Sequence, residues 1–240
     1  MAIDQLQEAK QAEKDEVASY FNGMGFDRWN RIYSNSDEVN KVQRNIRIGH
    51  QKTVDDVLNW IQESKGFQEM SFCDAGCGVG SLTLPLAKLG VKSISASDIS
   101  ESMVKETQRR TAEAGFELKK FNFQVSDLEN INGVFDTVIC LDVFIHYPQE
   151  AAEEMVHHLC NLSQEKLIVS FAPYTPLLAL LKQIGQLFPG PSKTTRAYTL
   201  REKGIVIAAK KCGFEVVRSK LNQAPFYFSK LIEFRKVNFR

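Results

Sequence analysis

Apolar and polar positions follow two rhythms along this chain, and the change falls near residue 70. Before it, apolar residues recur at helical spacing: Phe26, Trp29 and Tyr33, then Val54, Val57, Leu58 and Ile61 over residues 50–62. Residues 3–33 read as one or two helices broken at Asn22-Gly23-Met24-Gly25, where two glycines weaken a helix and mark a turn or hinge. Beyond it, Met70–Asp74, Val91–Ser97, Phe121–Val125, Val134–Asp142 and Lys166–Ala172 are short apolar runs that read as strands. Helical stretches separate them: one through Leu82, Leu84, Leu86 and Leu89, one over Ser100–Ala114 capped by Ser100, and one over Pro148–Leu162 opened by proline. Strands alternating with helices predict an α/β domain whose parallel sheet is covered on both faces. Thr175–Phe188 is apolar almost all round and stops at Pro189-Gly190-Pro191. Arg201–Cys212 reads as a helix ended by Gly213, and Phe214–Leu221 with Phe226–Lys236 as an antiparallel pair.

Composition narrows the class. With 43% hydrophobic residues, the 240-residue chain has material for a real core and is not disordered, collagenous or a disulfide scaffold. Lysine and arginine total 30 against 29 acids, which argues against a duplex nucleic-acid partner. No apolar run reaches the roughly 18 residues of a spanning helix. Met1 to Glu16 has five acids, two lysines and no apolar signal core, so it resembles neither a secretory signal nor an organelle presequence. The expected location is the side of the membrane where the chain is made. Five cysteines without zinc-site spacing read as reduced thiols, and no protein-bound metal is expected.

Candidate chemistry concentrates at the strand ends. Asp74-Ala75-Gly76-Cys77-Gly78-Val79-Gly80 follows a strand and opens a helix, where close backbone approach makes a ligand crevice. Ser81 stands where the dinucleotide fingerprint wants glycine, which disfavours a nicotinamide oxidoreductase. The turn resembles the first motif of class I S-adenosylmethionine-dependent methyltransferases. Asp98 follows the second strand, where a carboxylate can accept both ribose hydroxyls. Asp127-Leu128 resembles the adenine-binding turn, and Leu141-Asp142 closes the fourth strand beside the expected methyl position. Each aspartate alone is equally well a cap or a turn residue; the ordered series is what caps do not explain. The run Asp142-Val143-Phe144-Ile145-His146-Tyr147-Pro148 lacks the paired prolines of base-modifying amino-methyltransferases, so a metabolite acceptor is favoured over DNA.

A narrower resemblance is carried by Tyr20-Phe21-Asn22, Gly25-Phe26-Asp27-Arg28-Trp29, Arg31-Ile32-Tyr33 and Val39-Asn40-Lys41-Val42-Gln43. Asp74–Ser81, Ser97–Ser100, Thr137–Tyr147, Ser170–Pro173 and Phe188–Tyr198 add to it. Over about residues 17–235 the chain is similar to the magnesium-protoporphyrin IX methyltransferase family. The resemblance implies a three-layer sandwich with a mostly parallel seven-stranded sheet and an antiparallel last strand. It divides the chain into an aromatic arm (1–49), a cofactor core (50–172), an acceptor-binding lid insertion (173–198) and a completing C-terminal part (199–240). The implied reaction esterifies one propionate of magnesium-protoporphyrin IX in chlorophyll biosynthesis, leaving S-adenosylhomocysteine. The cofactor residues it implies are Arg47, His50, Asp74, Gly76, Cys77, Gly78, Gly80, Asp98, Ile99, Ser100, Met103, Asp127, Leu128 and Leu141.

A propionate is already ionised near neutral pH, so the implied reaction needs placement and desolvation more than a base. Tyr33 and His146 are the family-matched residues expected to orient that carboxylate; without the resemblance they read as packing and a cap. Magnesium ligation by His146 is the secondary reading. Tyr20, Trp29, Phe144, Phe171, Tyr174, Leu178, Phe188, Tyr198 and Tyr227 are candidates to meet the macrocycle, with Lys193 and Arg196 at its second propionate. Leu181 and Phe226 add apolar surface there. The expected assembly is a monomer that contacts a photosynthetic membrane surface or the porphyrin-binding subunit of magnesium chelatase. A methyltransferase for a quinone precursor is the main alternative, followed by an oxidoreductase and a non-catalytic porphyrin carrier.

Overall fold

The computed structural model describes residues 2–33, 39–174 and 198–237. Seven strands among them form one sheet: β1 (Ser71–Ala75), β2 (Ser93–Asp98), β3 (Phe121–Val125), β4 (Phe135–Cys140), β5 (Ser163–Phe171), β6 (Phe214–Ala224) and β7 (Tyr227–Lys236). Their order is β3-β2-β1-β4-β5-β7-β6. β1 to β5 are parallel, and β7 runs antiparallel to both β5 and β6. The winding reverses at β1, which has β2 on one side and β4 on the other. In such sheets ligands bind outside the carboxyl ends of the strands at that reversal.

Side chains on successive strand residues point to opposite faces, and the core divides accordingly. Phe72, Ile94, Ile139 and Ile168 pack against Val54, Val57 and Ile61 of α3 (Lys41–Gln62) and Leu86 of α4 (Thr83–Lys88). Cys73, Val138, Cys140, Leu167 and Val169 pack on the other face against Met155 and Leu159 of α6 (Gln149–Leu162) and Ile205 of α7 (Glu202–Lys211). Each fully buried side chain of this size contributes about 1.5–3 kcal/mol. The remaining α-helices among the described residues are α5 (Glu101–Glu113), which packs on β2 and β3, and the arm pair α1 (Ala2–Asn22) and α2 (Met24–Ile32).

Capping explains several boundaries. Ser100 Oγ accepts from Met103 N at 3.2 Å and starts α5 where expected. α3 begins nine residues before the expected helix because Asn40 and Gln43 form a reciprocal capping box, at 2.9 and 3.1 Å. The expected arm–core boundary at 49/50 therefore falls inside a continuous helix. Lys41, Arg44, Arg47 and Lys52 all lie on that helix. All five cysteines are free thiols.

The arm lies along α5. Ser100 Oγ meets Phe21 O at 3.0 Å and Asn22 Oδ1 at 2.9 Å, and Ser102 N donates to Asn22 Oδ1 at 3.2 Å. Gly25 permits the tight α1–α2 corner, since a Cβ there would stand 2.5 Å from the Tyr20 ring. The insertion's ends are pinned together: Tyr174 N donates to Leu200 O at 2.7 Å and Leu200 N to Ala172 O at 2.8 Å. Leu178, Phe188, Lys193 and Arg196 lie outside the described residues.

Candidate functional site

The glycine turn is fixed to β2 by its own backbone. Gly76 N and Cys77 N both donate to Ser97 O, at 2.8 and 2.9 Å. Gly76 has φ 87°, and a Cβ there would collide with Val143 at 2.2 Å, so the turn abuts the segment following β4. Gly78 has φ 53°, and no described atom lies within 4 Å of a Cβ position there. Cys77 is buried, and Thr107 Oγ1 anchors Gly78 O at 2.6 Å.

Asp98 ends β2 and braces this turn. Its Oδ2 accepts from Gly78 N at 3.0 Å, and its Oδ1 from Ser100 N at 2.9 Å. Burial pushes its pKa up to about 6 against those two hydrogen bonds. Asp74 is also raised to about 6, by burial above all, with Thr83 Oγ1 at 2.5 Å opposing and the Asp98 charge adding. Ile99 is half-buried, and Met103 is buried at the start of α5. Asp127 caps the turn after β3 by accepting from Asn130 N at 2.9 Å, with Leu128 buried beside it.

The arm reaches this end of the crevice too. Lys14 Nζ pairs with Asp127 Oδ2 at 3.0 Å and with Glu129. Nothing in the sequence singled out Lys14; it sits among acids in a segment that reads only as part of a helix.

The other end is organised by Asp142, just after β4. Its carboxylate accepts from Tyr227 Oη at 2.6 Å, Ser170 Oγ and Ser229 Oγ at 2.7 Å each, and His50 Nδ1 at 3.0 Å. It takes φ 57°, unusual for a non-glycine residue. Burial opposes its charge, but the His50 hydrogen bond and charge, then the hydroxyls of Tyr227 and Ser170, outweigh burial and hold it at about 2. His50 Nε2 meets Ser81 Oγ at 3.0 Å, so this histidine bridges the glycine turn and Asp142. Thr53 Oγ1 lies 2.9 Å from the Tyr227 hydroxyl. Gly49 leaves no room for a side chain against the Tyr227 ring, so α3 sits directly upon it. Arg47 lies half-buried one turn before His50.

Tyr33 and His146, distant in sequence, both feel the Asp142 charge. The Tyr33 ring stacks on Trp29 at 5.8 Å and stands 4.9 Å from the His50 ring. Burial, helped by the Asp142 charge, pushes its hydroxyl pKa well above the usual value. His146 packs edge-on against Phe21 at 5.0 Å. Burial lowers its pKa to about 4, with Asp142 opposing, so the ring is neutral at pH 7. The buried atoms His146 Nδ1, Trp29 Nε1 and Ser97 Oγ have no hydrogen-bond partner among the described residues.

The other expected acceptor residues divide. Phe144 and Phe171 are fully buried in the core, so in this arrangement they form the floor and offer no open surface. Leu141 is buried as well. Tyr20 is half-buried against Phe21, and Tyr174 is exposed beneath the Arg201 guanidinium at 5.6 Å. Tyr198 donates from its backbone to Ile145 O at 2.7 Å and from its hydroxyl to Glu13 at 3.2 Å, which joins insertion, acceptor loop and arm. Tyr227 belongs to the Asp142 network. Among the described residues no group of three His, Cys, Asp or Glu side chains is placed to hold a metal ion.

The family described as "Methyltransferase domain" matches residues 72–165, and "Magnesium-protoporphyrin IX methyltransferase C-terminus" matches residues 140–236. Fold and site thus define a class I S-adenosylmethionine-dependent methyltransferase. Magnesium-protoporphyrin O-methyltransferase of Synechocystis is 48% identical over 92% of this chain and 95% of its own. The chloroplastic magnesium protoporphyrin IX methyltransferase of Arabidopsis thaliana is 47% identical over 95% of this chain and 73% of its own. A crystal structure of the enzyme from Synechocystis PCC 6803 with bound SAH superposes with a TM-score of 0.85 at 46% identity, covering 92% of this chain and 98% of that one. The chain belongs to the magnesium-protoporphyrin IX methyltransferase family.

Proposed function

We infer that this chain transfers a methyl group from S-adenosylmethionine to one propionate of magnesium-protoporphyrin IX, giving the monomethyl ester. Family membership supports the reaction. The observation that carries the acceptor side is His146 Nδ1, buried, unpartnered among the described residues and placed just beyond β4.

The donor set fits the cofactor. Gly78 presents open backbone, Asp98 and Asp127 offer carboxylates to ribose and adenine, and Arg47 with His50 stands at the amino-acid end. Asp74 and Asp98, both held up by burial, mark a crevice short of positive charge. Bound S-adenosylmethionine supplies its methyl on a positively charged sulfur. Gly76, Cys77, Gly80, Ile99, Ser100, Met103, Leu128 and Leu141 complete the wall through backbone and packing.

On the acceptor side Tyr33 and His146 act as neutral donors that orient the propionate. A protonated imidazole would bind the carboxylate more strongly and blunt its nucleophilicity; a neutral N–H holds it with less charge withdrawal. Neither residue has to remove a proton. Tyr20, Trp29, Tyr174 and Tyr198 meet the macrocycle and help exclude water. The arm to residue 40, the core and the completing C-terminal part then serve as the working units. The chain acts as a monomer on the cytoplasmic or stromal side of a photosynthetic membrane, and receives its porphyrin from the porphyrin-binding subunit of magnesium chelatase. No described helix is long and apolar enough to cross a membrane.

Product analysis tests this. Purified chain and S-adenosylmethionine should convert magnesium-protoporphyrin IX to a product one methyl heavier, esterified at a single propionate. Efficient methylation of a quinone precursor with none of the porphyrin would overturn the acceptor and leave the class standing.

A further inference from the structure

The proposed role of Tyr33 requires that the end of α2 be held still, and α5 carries a clamp that does so. Arg110 Nη1 donates to Tyr33 O at 3.1 Å, and Nη2 to Asn30 Oδ1 at 2.6 Å and Asn30 O at 3.4 Å. Its Nε donates to Glu106 Oε1 at 2.8 Å, one helical turn earlier. Glu106 is 8% exposed and also holds Arg109, so this carboxylate keeps a partner when Arg110 is removed. One guanidinium therefore spans the last turn of α2 and the residue that ends it, where the carbonyls lack helical donors and carry the negative end of the helix dipole. Arg110 is itself mostly buried, at 17% exposure.

We propose that Arg110 is a positioning residue for methyl transfer: it clamps the Asn30–Tyr33 end of α2 to α5 and so fixes the Tyr33 ring beside His50 at the acceptor end of the crevice. The inference rests on the reading that Tyr33 orients the propionate. Two features separate this clamp from general arm docking. α1 has its own attachments, Lys14 to Asp127 and Asn22 to Ser100, both at the cofactor end. Within the arm, among the described residues, Arg110 holds the α2 end, the part that carries Tyr33 and Trp29 to His50. Loss of the clamp should thus misplace Tyr33 and leave the cofactor wall standing. Misplacement of a positioning group by about an ångström costs on the order of a hundredfold in rate, which bounds the effect.

The test is a double-mutant cycle on the full chain, read by single-turnover methyl transfer to magnesium-protoporphyrin IX. Calorimetric S-adenosylhomocysteine affinity and a thermal melt accompany each variant. Arg110→Gln should slow transfer roughly tenfold to a hundredfold while cofactor affinity stays within about twofold. Arg110→Lys, which keeps the charge but not the fork, should fall between. In a Tyr33→Phe background Arg110→Gln should cost less than about twofold, because the group it positions is gone. Asn30→Ala removes the other half of the clamp and should show the same background dependence, which keeps the test decisive if Arg110→Gln does not fold. An equal slowing in both backgrounds, a native rate in Arg110→Gln, or a loss confined to cofactor affinity would overturn the clamp alone. A native rate in Tyr33→Phe would overturn the reading of Tyr33 and the clamp with it.

Discussion

Three buried aspartates at the crevice are perturbed in opposite senses, and the difference sorts their tasks. Asp74 and Asp98 have folded pKa values near 6, above the ordinary 3.8. Their contribution to ligand-free stability is complete below about 3.8 and is lost as pH rises through about 6. Asp142, held at about 2, contributes stability present above 3.8 that is lost only as pH falls through about 2. A cationic cofactor that also donates ribose hydroxyls favours the ionised forms of the first two. Thermal stabilisation by S-adenosylmethionine should therefore grow as pH rises through about 6 and then level off. Asp98→Asn should lose much of that growth; a pH-independent stabilisation in the native chain would contradict the assignment. The glycine turn, Asp98 and Asp127 were legible in the sequence because local spacing after each strand announces them. Asp142 was legible as a strand end but not as a hub. Its donors His50, Tyr227 and Ser229 lie 92, 85 and 87 residues away, and no local pattern encodes that convergence.

Among the elements, this hub ties α3 to the β5–β7 edge, beside the packing of Val54, Val57 and Ile61 with Ile168 and Leu231. His50 and Thr53 face β7 from one helix, Gly49 lets the Tyr227 ring approach, and Ser170 brings in β5. Removing the carboxylate leaves four donors converging on nothing, a loss of about 3 kcal/mol for a buried charge network of this kind. Asp142→Ala should lower the urea midpoint accordingly with the urea dependence unchanged, and Ser229→Ala, which deletes one donor, should cost about 1 kcal/mol. A native midpoint in Asp142→Ala would show that the network is incidental. Helical and strand rhythms placed the central elements within a few residues. The start of α3 was missed because it depends on a side-chain capping pair at Asn40 and Gln43, in a stretch whose apolar positions are sparse. The end of β6 was underread for a different reason: as the edge strand of the sheet it carries polar residues where a buried strand carries apolar ones, whereas β7, inside the sheet, falls within one residue of the expected span.

Across the whole molecule the arm, the core and the ends of the insertion converge on one crevice. Lys14 and Asn22 attach the arm at the cofactor end, Arg110 holds it near the acceptor end, and Tyr198 ties the insertion to both arm and acceptor loop. The arrangement suits the proposed reaction between two charged partners that water would keep apart, with orientation assigned to the neutral Tyr33 and His146. That assignment is the centre of the account, and the pH dependence of single-turnover methyl transfer tests it most directly. With cofactor and magnesium-protoporphyrin IX both saturating, the rate should be level from about pH 7 to pH 9, because the propionate is already ionised, His146 is already neutral and no base has to act. A tenfold rise per pH unit across that range would show that a proton still has to be removed before transfer, and would contradict it.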